Sequence, residues 1–363
     1  MRDVIDDMLR WWRAGEPAGL ATVTATWSSA PRQPGAAMVV GPDGAAAGSV
    51  SGGCVEGAVY ELCREVAVSG ATRTVRYGVT DDDAYQVGLP CGGTIELLVE
   101  RVDRTTFPEL PLLAGAIRAD RPVALLTSTT GRHLLITPDD RTGSLGGDRL
   151  DDAATDDGRG LLAAGRTGLL HYGPAGERRG TGTTLLVSSF APPARMLVFG
   201  ATDHAAAVAR IGAFLGYRVT VCDARPVFAT ARRFPDAHEV VVDWPHRYLL
   251  AEAQAARLDE RTVVCVLTHD PKFDVPVLEI ALRMDLGYVG AMGSRRTHDD
   301  RLKRLAETSL TCAQLTRLSS PIGLDLGAHT PEETAVSVAA EIVALRWGGT
   351  GNRLTTTKGR IHP

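Results

Sequence analysis

This chain has no apolar run approaching the roughly 18–20 residues that cross a bilayer, so no membrane-spanning segment is expected. Its opening, MRDVIDDMLRWW, sets acids within an amphipathic pattern (Ile5, Met8, Leu9, Trp12) and suits a short helix rather than a secretory leader. It has no excess of positive charge: Lys and Arg number 39 against 43 acids, for a net charge of −4. That gives no footing to a nucleic-acid partner. It has no CxxC pair; six cysteines, at 54, 63, 91, 222, 265 and 312, lie far apart. With a cytoplasmic, reducing location expected, disulfides are not. It also lacks HExxH, the Walker A pattern and GxSxG, which removes zinc-peptidase, P-loop and α/β-hydrolase chemistry. No metal site is expected. The 363 residues allow two or three domains, and a 44% hydrophobic, 23% charged composition is that of an ordinary globular chain.

The stretch GSVSGGCVEGAVYEL (Gly48–Leu62) stands out. Its first seven residues hold three glycines, two serines and Cys54. Apolar residues then fall at Val55, Val59, Leu62 and Val66, which is helical spacing. A cysteine that only fills a core does not need this much glycine. Cys222 and Cys265, inside the strand-like runs VTVCD and VVCVL, are expected to be core residues. Cys54 and Cys91 differ from them, because each abuts paired glycines, GGC and CGG.

The first half reads as β-rich, and its plan recurs. AMVVGPDGAAAGSVSGGCVEGAV resembles HLLITPDDRTGSLGGDRLDDAA, and TIELLVE resembles TTLLVSS. Gly48 maps to Gly143 and Tyr77 to Tyr172, both 95 residues on. An internal duplication follows, with a first unit over 1–110 and a degenerate copy over 111–193. In the copy, Gly53-Cys54 becomes Asp148-Arg149, and PAGERRGTG replaces the Cys91 hairpin. A scaffold that persists without either thiol assigns Cys54 and Cys91 to function rather than folding.

From 194 to 363 strands alternate with helices, which predicts a Rossmann-like, doubly wound parallel sheet. The whole chain is thus α/β, with an α+β first part. VFGATDHA occupies the place of a dinucleotide turn: Gly200 leads it, and Asp223 ends the next strand where an acid meets a ribose hydroxyl. Thr202 stands where a second glycine admits the pyrophosphate, so tight NAD binding is not expected. Two other groups lie at strand ends. GAMGSRR sets Gly293 and Ser294 at a helix start beside Arg295 and Arg296, which suits a phosphate. THDPKFD sets His269 and Asp270 at the carboxyl edge of another strand.

With these motifs placed, the chain resembles the XdhC/CoxI family of xanthine dehydrogenase accessory proteins. GSVSGGCVE, CGGTIELLVE, GYRVTVCDAR, VVCVLTHDPKFD, GAMGSRR and SPIGLDLGAHTPEETAVSVAAEIVA carry the resemblance over nearly the full length. It implies an accessory protein more than an enzyme: a chaperone that binds molybdopterin or its cytosine dinucleotide. Such a protein supports cofactor sulfuration with a cysteine desulfurase and insertion into a molybdenum hydroxylase, and a homodimer is expected. On this reading Cys54, Cys91 and Glu56 carry the chemistry, with Glu56 accepting a proton or a ligand hydrogen bond. Ser51, Gly52, Gly53, Gly92 and Gly93 bring the backbone close to the ligand. Thiols at helix N-termini are generally more acidic, and a soft thiolate suits molybdenum or sulfur. The competing readings are an NAD(P)-dependent oxidoreductase, against which Thr202 speaks, and a docking protein with no small ligand.

Overall fold

β-branched residues after Pro17 extend into strand β1 (Ala18–Trp27), which helix α1 (Ile5–Ala14) precedes. Strands β2 (Ala37–Val40) and β3 (Ala46–Gly48), helix α2 (Glu56–Ser69), and strands β4 (Arg73–Tyr77) and β5 (Thr94–Val102) follow. The strands pair antiparallel in the order β3-β2-β1-β5-β4. This computed structural model describes residues 1–27, 32–78 and 93–358, so Cys91 and Gly92 lie outside the described residues.

Helix α2 crosses β1 at Gly19. A Cβ there would sit 2.1 Å from the Cys63 carbonyl oxygen, so only glycine admits the helix this closely. The helix buries Val59, Cys63 and Val66 against Ala21, Val23, Ile95 and Val99. Leu62, expected on that face, is only half-buried.

Helix α3 (Leu110–Arg118) leads to a second set: β6 (Val123–Ser128), β7 (His133–Ile136), β8 (Arg141–Gly143), α4 (Asp148–Ala163), β9 (Gly168–Tyr172) and β10 (Thr183–Phe190). Its sheet order, β8-β7-β6-β10-β9, repeats that of the first. Gly48 pairs with Met38 and Gly143 with Leu134, at matching places in the two ladders. Each sheet packs one face on its own helix. The other faces, with α1 and α3, enclose a shared core that includes Leu20, Val39, Phe107, Leu113, Leu125 and Leu135. The two sheets therefore belong to one unit, Met1–Pro192.

The second unit begins at Pro193. It comprises β11 (Arg195–Phe199), α5 (Asp203–Phe214), β12 (Arg218–Asp223), β13 (Glu239–Val242), α6 (Pro245–Gln254), β14 (Val263–Val266), α7 (Pro271–Arg283), β15 (Tyr288–Ala291), α8 (Arg295–Ala306), α9 (Cys312–Leu315), β16 (Leu318–Ser319) and α10 (Pro331–Trp347). All six strands are parallel, in the order β13-β12-β11-β14-β15-β16. Strands covered on both faces read as continuous apolar runs. Cys222 and Cys265 lie in that core, where burial pushes both thiols up to about 12. The two-residue β16 carries no signal in the sequence. The order reverses between β11 and β14, and the crevice beyond their carboxyl ends is where such sheets hold ligands.

Candidate functional site

The GGC turn is built around one carboxylate. Between β3 and α2, Gly52 (φ +81°) and Gly53 (φ +118°) take left-handed conformations that favour glycine. Glu56 accepts hydrogen bonds from the hydroxyls of Ser49 (2.6 Å) and Ser51 (2.5 Å). It also accepts from the amides of Ser51 (2.9 Å), Gly52 (3.0 Å), Gly53 (2.8 Å) and Val55 (3.2 Å). Partial burial would raise its pKa, but the Ser49 and Ser51 hydroxyls and the turn amides outweigh that and hold it at about 2.

This corrects the role expected of Glu56. A carboxylate so saturated with donors stays ionised at neutral pH and does not serve as a base; it is the staple of the turn. Ser51, Gly52 and Gly53, expected to bring the backbone close to a ligand, turn their amides inward. Their N–H groups converge on Glu56 and are not presented outward. Nor do they converge on the thiol. The Cys54 amide donates to the Ser51 hydroxyl (3.0 Å), and Val55 is the N-cap of α2, so Cys54 precedes the helix. Cys54 is half-buried against the apolar cluster under α2. What stays open among the described residues is space: a Cβ on Gly52 or Gly53 would meet none of their atoms within 4 Å. A bulky group therefore approaches the Cα side of the turn beside the thiol. Gly93 leads into β5, while Cys91 and Gly92 fall outside the described residues.

The second repeat keeps the staple without the thiol. Asp151, 95 residues after Glu56, accepts from the Ser144 hydroxyl and the Leu145 amide, both at 2.7 Å. Arg149 stands where Cys54 would be. A cavity of about 460 Å³ opens there, lined by Ser128, Gly147, Arg149, Pro174 and Gly182 among others. Sequence reading missed Ser49 and Asp151. Carrying the 95-residue offset through to Ser49/Ser144 and Glu56/Asp151 would have found both.

In the second unit, the turn after β11 satisfies itself. Gly200 (φ +115°) lies so close to the β14 loop that a Cβ would sit 2.9 Å from the Leu267 carbonyl carbon. Thr202 caps α5, its hydroxyl accepting from the Ala205 amide (3.1 Å). Asp223 is buried and accepts from the Ala201 amide (2.7 Å) and from the Arg225 amide and guanidinium (2.7–2.9 Å). Burial opposes ionisation of Asp223, but the Arg225 hydrogen bonds outweigh it and lower its pKa. The acid expected to meet a ribose hydroxyl is thus already engaged.

Asp270 caps α7 and pairs with Lys272 (3.0 Å), whose hydrogen bonds lower its pKa; Arg225 adds a smaller pull across the switch point. His269 is exposed beside it. Ser294 caps α8 (Thr297 amide, 3.2 Å), with Gly293 before it. Arg295 and Arg296 are exposed and form no ion pair among the described residues. Arg301, farther along the same helix, is buried. It pairs with Asp274 (2.9 Å) and donates to the Met292 carbonyl (2.7 Å) and the Ser320 hydroxyl (2.9 Å). Asp274 also accepts from Thr268. This buried knot ties together the loops that follow β14, β15 and β16.

A family model described as the XdhC Rossmann domain matches residues 196–342. A model described as the XdhC and CoxI family matches residues 11–78 and 116–173. The chain belongs to the XdhC and CoxI family. Its two N-terminal matches fall in the two repeats, α1 to β4 and the end of α3 to β9. Among curated proteins, the chain is 27% identical over 333 residues to a probable xanthine dehydrogenase subunit of Bacillus subtilis, covering 91% of this chain and 94% of that one. It is 29% identical over 333 residues to the molybdenum cofactor insertion chaperone PaoD of Escherichia coli, covering 92% of this chain and 85% of that one. A crystal structure described as a xanthine dehydrogenase, from Bacillus halodurans, has the same fold over 98% of both chains, with a TM-score of 0.68 at 24% identity. No helix among the described residues is long and apolar enough to cross a membrane.

Proposed function

We propose that this XdhC/CoxI chain is a chaperone that binds the molybdenum cofactor, supports its sulfuration and delivers it to a molybdenum hydroxylase. One observation carries the reading. A chain matching a molybdenum cofactor insertion chaperone over 92% of its length presents a half-buried thiol beside two glycines whose Cβ positions meet no described residue. The stapled turn gives a bulky cargo a preformed surface, and the Cys54 sulfur is a soft donor suited to molybdenum or to a transferred sulfur. Cys54 and Cys91 serve one site, with Gly52, Gly53, Gly92 and Gly93 allowing close approach. Gly293, Ser294, Arg295 and Arg296 receive an anionic part of a ligand in the second unit, with Gly200, Asp223, His269 and Asp270 at the same sheet edge.

The cargo is molybdopterin or its cytosine dinucleotide, and the partners are a cysteine desulfurase and a xanthine or CO dehydrogenase-type hydroxylase. The protein works in the cytoplasm as a homodimer. Residues 111–193 are a degenerate copy of 1–110, followed by the Rossmann-like domain 194–363.

The test is mass spectrometry of protein purified without oxygen from cells making the cofactor. A bound pterin is expected. Protein that carries no pterin and does not activate a molybdenum hydroxylase would sink the reading.

A further inference from the structure

A second cavity in the first unit has no part in this proposal. It holds about 410 Å³, a volume typical of small-molecule sites. Its walls come from both repeats: Gly70 and Thr72 after α2, Glu100 near the end of β5, Glu109 before α3, Arg132 and His133 at the start of β7. Cys54 lies beyond the N-terminus of α2 and this cavity beyond its C-terminus. A helix of 14 residues is about 21 Å long, so the two places are distinct and the inference stands apart from the chaperone reading.

The polar groups of the cavity are unequally satisfied. His133 and Glu100 are both fully buried and pair at 3.0 Å, and Phe107 stacks on the imidazole at 4.0 Å. Burial would lower the His133 pKa, but the charge and hydrogen bond of Glu100 outweigh it, so the pKa is raised and the pair is charge-balanced. Arg101 is matched by Asp103 at 2.5 Å. Three groups have no match among the described residues, and the first is the buried Nδ1 of His133. Glu109 is only 8% exposed, and its carboxylate accepts no hydrogen bond and joins no ion pair. Its charge adds a smaller pull on His133, whose Nε2 is already committed to Glu100. The Arg132 guanidinium, at the exposed side, lies over Gly146 and also pairs with nothing. Glu109 and Arg132 are not paired with each other.

A carboxylate that meets no donor favours a partner for its charge. One that faces a cavity whose rim carries an unmatched cation calls for a ligand bearing both charges. An amine alone leaves Arg132 unmatched, and a carboxylate alone leaves Glu109 unmatched. A metal ion does not fit, because no group of three or more His, Cys, Asp or Glu among the described residues is placed to hold one. We infer that this cavity binds a small zwitterion of the amino-acid class, its ammonium on Glu109 and its carboxylate on Arg132. Thr105, Thr106, Thr130 and Ser144 line the rest of the cavity, which favours a polar side chain on the ligand.

Isothermal titration of the full chain with each of the twenty standard L-amino acids tests this. At least one is expected to bind. Its N-acetyl form, lacking the ammonium, and its carboxamide, lacking the carboxylate, should each bind about tenfold or more weakly. Glu109→Gln and Arg132→Met should cost about as much; Arg132 is exposed, so its replacement leaves the fold intact even where Glu109→Gln does not. Binding by none of the twenty would overturn the inference. So would equal binding of a blocked form, or unchanged binding by the Arg132→Met chain.

Discussion

Cys54 and Glu56 lie two residues apart and do opposite kinds of work. The carboxylate is consumed by the turn, while the thiol has space beside it. Replacing Cys54 with Ser keeps the size, and Arg149 in the second repeat shows that the joint accepts other side chains. Cys54→Ser should therefore cost at most about 1–2 kcal/mol and abolish activation of a partner hydroxylase. Activation assays read beside a melting curve decide this; full activation means an idle thiol, and a collapse in melting temperature means a structural plug. Glu56→Gln sets an amide NH₂ against groups that are themselves donors, and should cost about 2–3 kcal/mol. The low pKa of Glu56 has a signed consequence. Held at about 2 against an ordinary 4.5, it makes the unfolded chain bind the proton first as pH falls. Stability is fully present above about pH 5 and is lost toward pH 2. Glu252, held at about 2 by the Arg257 and Arg195 hydrogen bonds, acts in the same window. Urea midpoints taken from pH 6 to pH 2 should fall, and Glu56→Gln should flatten that fall; an equally steep profile in the variant removes Glu56 from the account.

At the scale of elements, the glycines of the two repeats separate into those needed for space and those needed for conformation. Gly48 and Gly143 end equivalent edge strands with φ of +81° and +94°. A Cβ on Gly48 would lie 2.3 Å from the Ala37 carbonyl oxygen, and one on Gly143 2.5 Å from that of His133. Gly48→Ala and Gly143→Ala combine a disfavoured φ with a backbone clash and should each cost at least about 3 kcal/mol. Gly52→Ala meets no atom of the described residues and suffers only the φ, about 1 kcal/mol. Denaturant unfolding of the three variants would show a clear gap, and equal losses would mean that the clash is relieved by movement. Much of this level was legible in sequence: the helix after Cys54, the strands on both sides and the 95-residue offset all follow from local periodicity. The half-burial of Leu62 was not, since the helix face is chosen by its close approach to Gly19, a contact between residues far apart in the chain.

For the whole molecule, the turn after β11 in the Rossmann-like sheet spends its polar groups within the chain. The Gly200 turn, the Asp223 carboxylate and the Thr202 hydroxyl are bonded to one another's neighbours, and Arg225 lies against the acid that would meet a ribose. Calorimetric titration with NAD and NADH should find no micromolar dissociation constant; a micromolar value would restore the oxidoreductase reading.

Local patterns along the chain were enough to set the α/β class, the β-rich plan of the first half, the parallel sheet of the second and the unusual character of the GGC turn. Each depends on residues close in sequence, where spacing and backbone preference act directly. Only the tertiary structure decided which polar groups are spent and which are free. Glu56 turned out to be a staple, Asp223 and Arg301 were found already paired, and Glu109 and Arg132 were left unmatched across a cavity whose walls come from both repeats. Hydrogen bonding and burial are settled by whichever groups folding brings within about 3 Å: Asp223 takes the Ala201 amide 22 residues away and Arg301 the Asp274 carboxylate 27 away, while the donors on Glu56, all within seven residues, converge only once the turn has folded.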